Sequence, residues 1–215
     1  MPVFRSEKLP NKVTIVIFHL QESEAELWDQ THLWPEGEQE WAQIHHPQKK
    51  LEWLGGRIAV QHLCQKLDLA YHGVHKDEHG KPHLREVPGH ITISHCWPYA
   101  AAAYHPHLPL GLDLEEPRDK LVRLAPKFLD DQELNHANNH LDYLALQWSA
   151  KESLYKLHGR KRLAFREQLK TSLFDLETKG TWPAIIWEDD SPMDCHIYYE
   201  KISPTHWLTI ATPSA

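Results

Sequence analysis

The segment His105-Pro106-His107-Leu108-Pro109 constrains this chain most, because two prolines within four residues remove backbone donors and fix φ. Neither a helix nor a central strand runs through it, so each flank must build its own elements. Before it, Val13 to Phe18 is a β-branched and aromatic run that suits a buried strand. Ser23 followed by Glu26 has the form of a capping box, and helices are expected from Glu38 to His46 and from Lys49 to Leu67. In the latter, Leu51, Leu54 and Ile58 share a stripe, and Arg57 falls off it toward solvent or a ligand. Gly80-Lys81-Pro82 signals a turn, and Ile91–Ser94 and Tyr99–Tyr104 read as strands joined through Trp97-Pro98.

After the segment, Leu110 to Leu114 reads as a strand. A long helix is expected from Asn139 to Leu157, and strands from Pro183 to Trp187, Cys195 to Glu200 and His206 to Ala211. Helices beside mostly hairpin-linked strands predict an α+β fold. The expected division is an N-terminal subdomain over 1–104, a linker over 105–109 and a C-terminal subdomain over 110–215. Among 215 residues, 23 Lys plus Arg face 30 Asp plus Glu, a net charge of -7 that argues against general nucleic-acid binding. The early apolar run is far shorter than the ~20 residues of a bilayer span, so no membrane association and a cytoplasmic location are expected. Cys64, Cys96 and Cys195, odd in number and widely spaced, fit neither a disulfide framework nor a CxxC zinc site.

Two short motifs carry chemistry. In Gly111-Leu112-Asp113-Leu114-Glu115, strand alternation points both carboxylates to one face, where they repel unless a proton or cation joins them. Mg²⁺ suits such a pair, since it takes a few carboxylates and leaves places for water and phosphate. In Trp148-Ser149-Ala150-Lys151-Glu152-Ser153-Leu154-Tyr155-Lys156, helical spacing lines up Trp148, Glu152 and Lys156 on one ridge. Glu152 can complete a metal site or act as a base, and Lys156 can neutralise a phosphate. Lys151 points about one hundred degrees away at ~3.6 residues per turn, toward the helix surface or a more distant phosphate.

The pair of motifs, in this order, resembles the signature of the 4'-phosphopantetheinyl transferase superfamily. Trp53-Leu54-Gly55-Gly56-Arg57, Gly80-Lys81-Pro82 and Ile93-Ser94-His95 add matches upstream. The length is similar to that of the larger, monomeric type, which implies two subdomains of similar architecture about a pseudo-two-fold axis with the active site at their interface. The resemblance implies transfer of the 4'-phosphopantetheine arm of coenzyme A to a serine of an acidic apo carrier protein, releasing adenosine 3',5'-bisphosphate. It implies that Asp113, Glu115 and Glu152 hold Mg²⁺, with Mn²⁺ also admitted. Glu152 is then the base and Lys156 balances diphosphate charge. Arg57, Lys81 and His95 grip the 3'-phosphate, with Ser94 as an added donor. Cys96-Trp97-Pro98 after His95, and His158-Gly159-Arg160-Lys161-Arg162 after Lys156, depart from the family pattern.

Other readings compete. Arg118, Lys120, Leu121, Arg123, Leu124, Lys127 and Phe128 mix cations with apolar residues, as a carrier-docking surface or as an ordinary amphipathic helix. The pairs His45-His46, His105/His107 and His136/His140 lack the partners of known metal motifs, and most of the 18 histidines are expected at the surface. A Mg²⁺-dependent phosphohydrolase is the alternative enzyme, although Pro117 stands where many nucleases carry a lysine. A non-catalytic coenzyme A or carrier-binding protein is the remaining alternative.

Overall fold

The computed structural model describes residues 3–9, 11–160, 162–188 and 191–214. It is an α+β structure of two compact units, one ending at Leu108 and the other beginning at Pro109.

In the N-terminal unit, β1 (Val3–Lys8), β2 (Thr14–His19), β5 (His90–Cys96) and β6 (Tyr99–His105) form an antiparallel sheet in the order β1-β2-β6-β5. A separate hairpin joins β3 (Val74–Lys76) to β4 (Pro82–Leu84). The capping box opens α1 (Glu24–Gln30): Ser23 Oγ accepts from Glu26 N–H, and the Glu26 carboxylate accepts from Ser23 N–H. Pro35 and Pro47 begin α2 (Pro35–Ala42) and α3 (Pro47–Lys66), where a missing N–H costs nothing. Leu54, Ile58 and Leu63 of α3 are buried with Val16 and Phe18 of β2 and Ala100 and Ala102 of β6. The alanine run of β6 lets the helix lie close to the sheet.

In the C-terminal unit, five antiparallel strands run in the order β7-β11-β10-β9-β8. They are β7 (Gly111–Glu115), β8 (Leu169–Thr171), β9 (Lys179–Glu188), β10 (Ser191–Ser203) and β11 (His206–Pro213). The helices are α4 (Lys120–Phe128), α5 (Asp131–Ala137), α6 (Leu141–His158) and α7 (Phe165–Gln168). The long helix α6 packs on β7 and β11 and ends at Gly159, whose φ of 75° is the left-handed closure that glycine makes cheaply. Leu144, Leu154 and Leu157 of α6 join Trp182, Ile186, Ile197 and Trp207 of the sheet in one core.

Two local readings are revised. The strands β1 and β8, one largely exposed and one only three residues long, lack the apolar runs that reveal β2 and β7. Leu121 and Phe128 of α4 are 1% exposed in the core, so they are not anchors for a carrier, and Arg118 is engaged by Glu116 at 2.5 Å. The amphipathic-helix reading holds. Among the histidines, His105 and His206 are the buried ones, and the others are partly or fully exposed. His105 Nδ1 accepts from the N–H groups of His107 and Leu108, and its Nε2 donates to Asn11 O at 3.1 Å, which ties down the exit from β6. All three cysteines are free and buried, and no helix among the described residues is long and apolar enough to cross a membrane.

Candidate active site

Antiparallel pairing sets Asp113 opposite Thr209 and Glu115 opposite Trp207. Cross-strand partners project to one face, so both carboxylates stand on the side of the sheet that carries Thr209. Helix α6 lies against this face at close range: a Cβ on Gly111 would come within 1.9 Å of Ser153 O and 2.5 Å of Leu157 N. The glycine of the strand motif is therefore required by the approach of a helix backbone. With α6 so near, Lys156 Nζ donates to Asp113 Oδ1 at 2.8 Å and to Leu112 O at 3.0 Å. Asp113 is only 6% exposed.

One turn earlier, Glu152 lies near enough to the same carboxylates to feel their charge. Burial, and then the Asp113 charge, push its carboxyl up to about 7, with Glu115 adding to the rise and Lys156 opposing it. Burial also raises Glu115, as does Asp113, against a hydrogen bond that Glu115 accepts from Glu116 N–H at 3.0 Å. Glu115 and Glu152, whose proton affinity rises beside the Asp113 charge, form with Asp113 a donor set for a hard divalent cation, whose charge offsets that repulsion. The three acids thus fit Mg²⁺ by their chemistry. Trp148 completes the expected ridge as an apolar wall, edge-on to Phe128 with centroids 5.0 Å apart and stacked on Phe165 at 5.4 Å.

Lys151 does something other than expected. It is fully buried, with Nζ 2.6 Å from Phe128 O and 2.8 Å from Glu133 Oε2. Buried ammonium groups persist where they are paired and hydrogen-bonded, and the partner Glu133 has no motif relation to Lys151. Its only sequence signal is the capping box with Asp130. Thr171 Oγ1 lies 2.7 Å from Gln147 Oε1 and 3.2 Å from Glu133 Oε1 and can give its one proton to either, so α5, α6 and β8 share one polar network.

In the N-terminal unit, the expected phosphate-binding cations have acidic neighbours. Arg57 is 7% exposed rather than solvent-facing, lies over the Trp53 ring at 4.4 Å and donates to Glu40 Oε2 at 3.1 Å. Lys76 reaches the same oxygen at 3.0 Å. Burial lowers the Lys81 ammonium while Asp77 holds it up. The Asp77 carboxylate accepts from the N–H groups of His79 and Lys81, each at 2.9 Å, which shapes the turn at Gly80. His95 Nδ1 lies 3.1 Å from Glu52 Oε2. Burial raises Glu52, but His95, Lys49 and Gln48 together bring it down to about 2. Ser94 is buried and, by strand alternation, projects to the face opposite His95. Glu40 and Glu52 were not legible as partners, because α2 and α3 supply them from positions with no motif relation to Arg57 or His95.

The C-terminal unit is thus an α+β domain in which Lys156 pairs with Asp113 and in which the charges of Asp113, Glu115 and Glu152 act on one another. Residues 109–211 match the 4'-phosphopantetheinyl transferase superfamily, so this segment is similar to the domain of that superfamily. No curated protein matches the chain.

Proposed function

We propose that the protein transfers the 4'-phosphopantetheine arm of coenzyme A to a serine of an acidic apo carrier protein, working as a soluble monomer. The observation that supports this reading is the meeting of Asp113, Glu115, Glu152 and Lys156 within the segment that matches the superfamily. Asp113, Glu115 and Glu152 are the proposed ligands of Mg²⁺, or of Mn²⁺. Such an ion, when bound, supplies charge neutralisation on a diphosphate.

In the proposed reaction the carrier serine Oγ bonds to the phosphorus that bears pantetheine. The bridging oxygen leaves with adenosine 3',5'-bisphosphate. Glu152 takes the serine proton, directly or through water. A carboxyl poised at about 7 suits that task at neutral pH, and such a base typically contributes ~10² to 10⁴-fold. Lys156, fixed by Asp113 and Leu112 O, is aimed to balance charge as the bridge breaks. Arg57, Lys81 and His95 are the proposed grip on the 3'-phosphate, while Ser94, the added donor expected from the resemblance, projects from the opposite face of β5. For Arg57 and His95 this asks the phosphate to replace or join Glu40 and Glu52.

The test is a mass-spectrometric panel of apo acyl, peptidyl and aryl carriers incubated with coenzyme A and Mg²⁺. A carrier gaining one phosphopantetheine is expected, and Glu152→Gln is expected to lower the rate at least ~10²-fold while coenzyme A binding stays measurable. Release of free phosphopantetheine with unmodified carriers would instead identify a phosphohydrolase. Coenzyme A binding without either product would identify a binding protein.

A further inference from the structure

Helix α6 meets β11 through three hydroxyl groups that no part of the proposed chemistry uses. Ser149, Ser153 and Thr209 are each fully buried. Thr209 Oγ1 donates to Ser149 O at 2.9 Å and also lies 2.9 Å from Ser149 Oγ and 2.6 Å from Ser153 Oγ. Ser153 Oγ is 3.1 Å from Thr209 O, which it can donate to. Ser149 and Ser153 are one helical turn apart, about 6 Å along the axis, and Thr209 sits between them. Water cannot substitute for these partners at zero exposure, so the hydroxyls are satisfied in one axial register of α6 on β11.

The same register fixes the acids. Thr209 is the cross-strand partner of Asp113, and Glu152 directly precedes Ser153 on α6. An axial shift of α6 by the rise of one residue moves Glu152 by about 1.5 Å relative to Asp113. That is most of a Mg²⁺–oxygen bond of ~2.0 to 2.1 Å, and this ion demands near-ideal octahedral placement. Gly111 allows the helix to approach but has no side chain to choose a register; the hydroxyls choose it.

We propose that Thr209, clasped by Ser149 and Ser153, is a positioning residue that sets the axial register of Glu152 against Asp113 and Glu115 and so determines how tightly these acids hold a divalent cation. This rests on the reading of the three acids as metal ligands given above. The probe is Mn²⁺ alone, added to the full chain without coenzyme A and followed by loss of the free-ion electron paramagnetic resonance signal. Thr209→Val, which keeps the shape and removes the hydroxyl, is expected to weaken Mn²⁺ binding at least about tenfold, and Thr209→Ser to restore most of it. In the transfer assay, turnover should fall with the coenzyme A KM within about twofold. Ser153→Ala, a substitution that favours the helix, is expected to weaken Mn²⁺ binding in the same direction and carries the test if Thr209→Val does not fold. Wild-type Mn²⁺ affinity in a folded Thr209→Val or Ser153→Ala protein, with Asp113→Asn losing it, would overturn the positioning role and leave the metal reading standing. Undiminished Mn²⁺ binding by Asp113→Asn would overturn both.

Discussion

Glu152 makes the protein's stability depend on pH in a way that reports the site without any assay of turnover. Its carboxyl titrates near 4.5 in the unfolded chain and about 7 in the folded one. Between these values the folded state holds more protons, so stability is full below about 4.5 and is lost as pH rises through 7. Glu115, also raised, acts in the same direction. Calorimetry in the presence of chelator should show Tm falling from pH 5 to pH 8, a fall that Glu152→Gln reduces and added Mg²⁺ opposes. Glu52 works oppositely: held at about 2, it contributes stability above 4.5 that disappears as pH falls toward 2. At Gly111 the contact is steric. A methyl group there meets backbone atoms of α6 that cannot rotate away, so Gly111→Ala is expected to cost at least ~1 to 3 kcal/mol by urea denaturation, with transfer lost through displacement of α6.

At the scale of the element, α6 assigns a different task to each of its ridges. Tyr143, Gln147 and Lys151 face the buried polar network, Ser149 and Ser153 face β11, and Trp148, Glu152 and Lys156 carry the site. The 3.6-residue period reveals that these ridges exist and that Glu152 and Lys156 share one. It does not say which ridge is buried, and Lys151 departs from the expected surface position because its partners come from α5, from the end of α4 at Phe128 and from the start of α7 at Phe165. Removing one member of a buried pair strands the other. Lys151→Met is expected to destabilise by ~3 to 5 kcal/mol, and the double variant Lys151→Met with Glu133→Leu to recover part of that loss, as measured by chemical denaturation.

For the molecule as a whole, the proposed tasks divide between the two units. The cations offered to the 3'-phosphate belong to the unit before Leu108, and the acids with Lys156 to the unit after it. Kinetic variants should divide likewise: Arg57→Ala is expected to raise the coenzyme A concentration for half-maximal rate by roughly tenfold, the ~1.4 kcal/mol scale of one charged hydrogen bond, with modest change in turnover. A substrate titration of the transfer reaction checks this, and an unchanged half-saturation would remove Arg57 from the phosphate site. A net charge of -7 is compatible with such a site because the cations are local and several already face carboxylates such as Glu40 and Glu52.

From its letters alone, this chain determines a β7 with two acids on one face and an α6 with Glu152 and Lys156 on one ridge, since alternation and helical period are properties of neighbours in sequence. The capping box at Ser23, the turn at Gly80 and the hairpin through Trp97-Pro98 are legible for the same reason. Only the tertiary structure decided that Lys151 meets Glu133 across 18 residues, that Arg57 meets Glu40 across 17, and that Thr209 sits between two serines of α6 at separations of 60 and 56. Those pairings come from how helices settle on sheets, where burial forces each polar group to find whatever partner packing brings near.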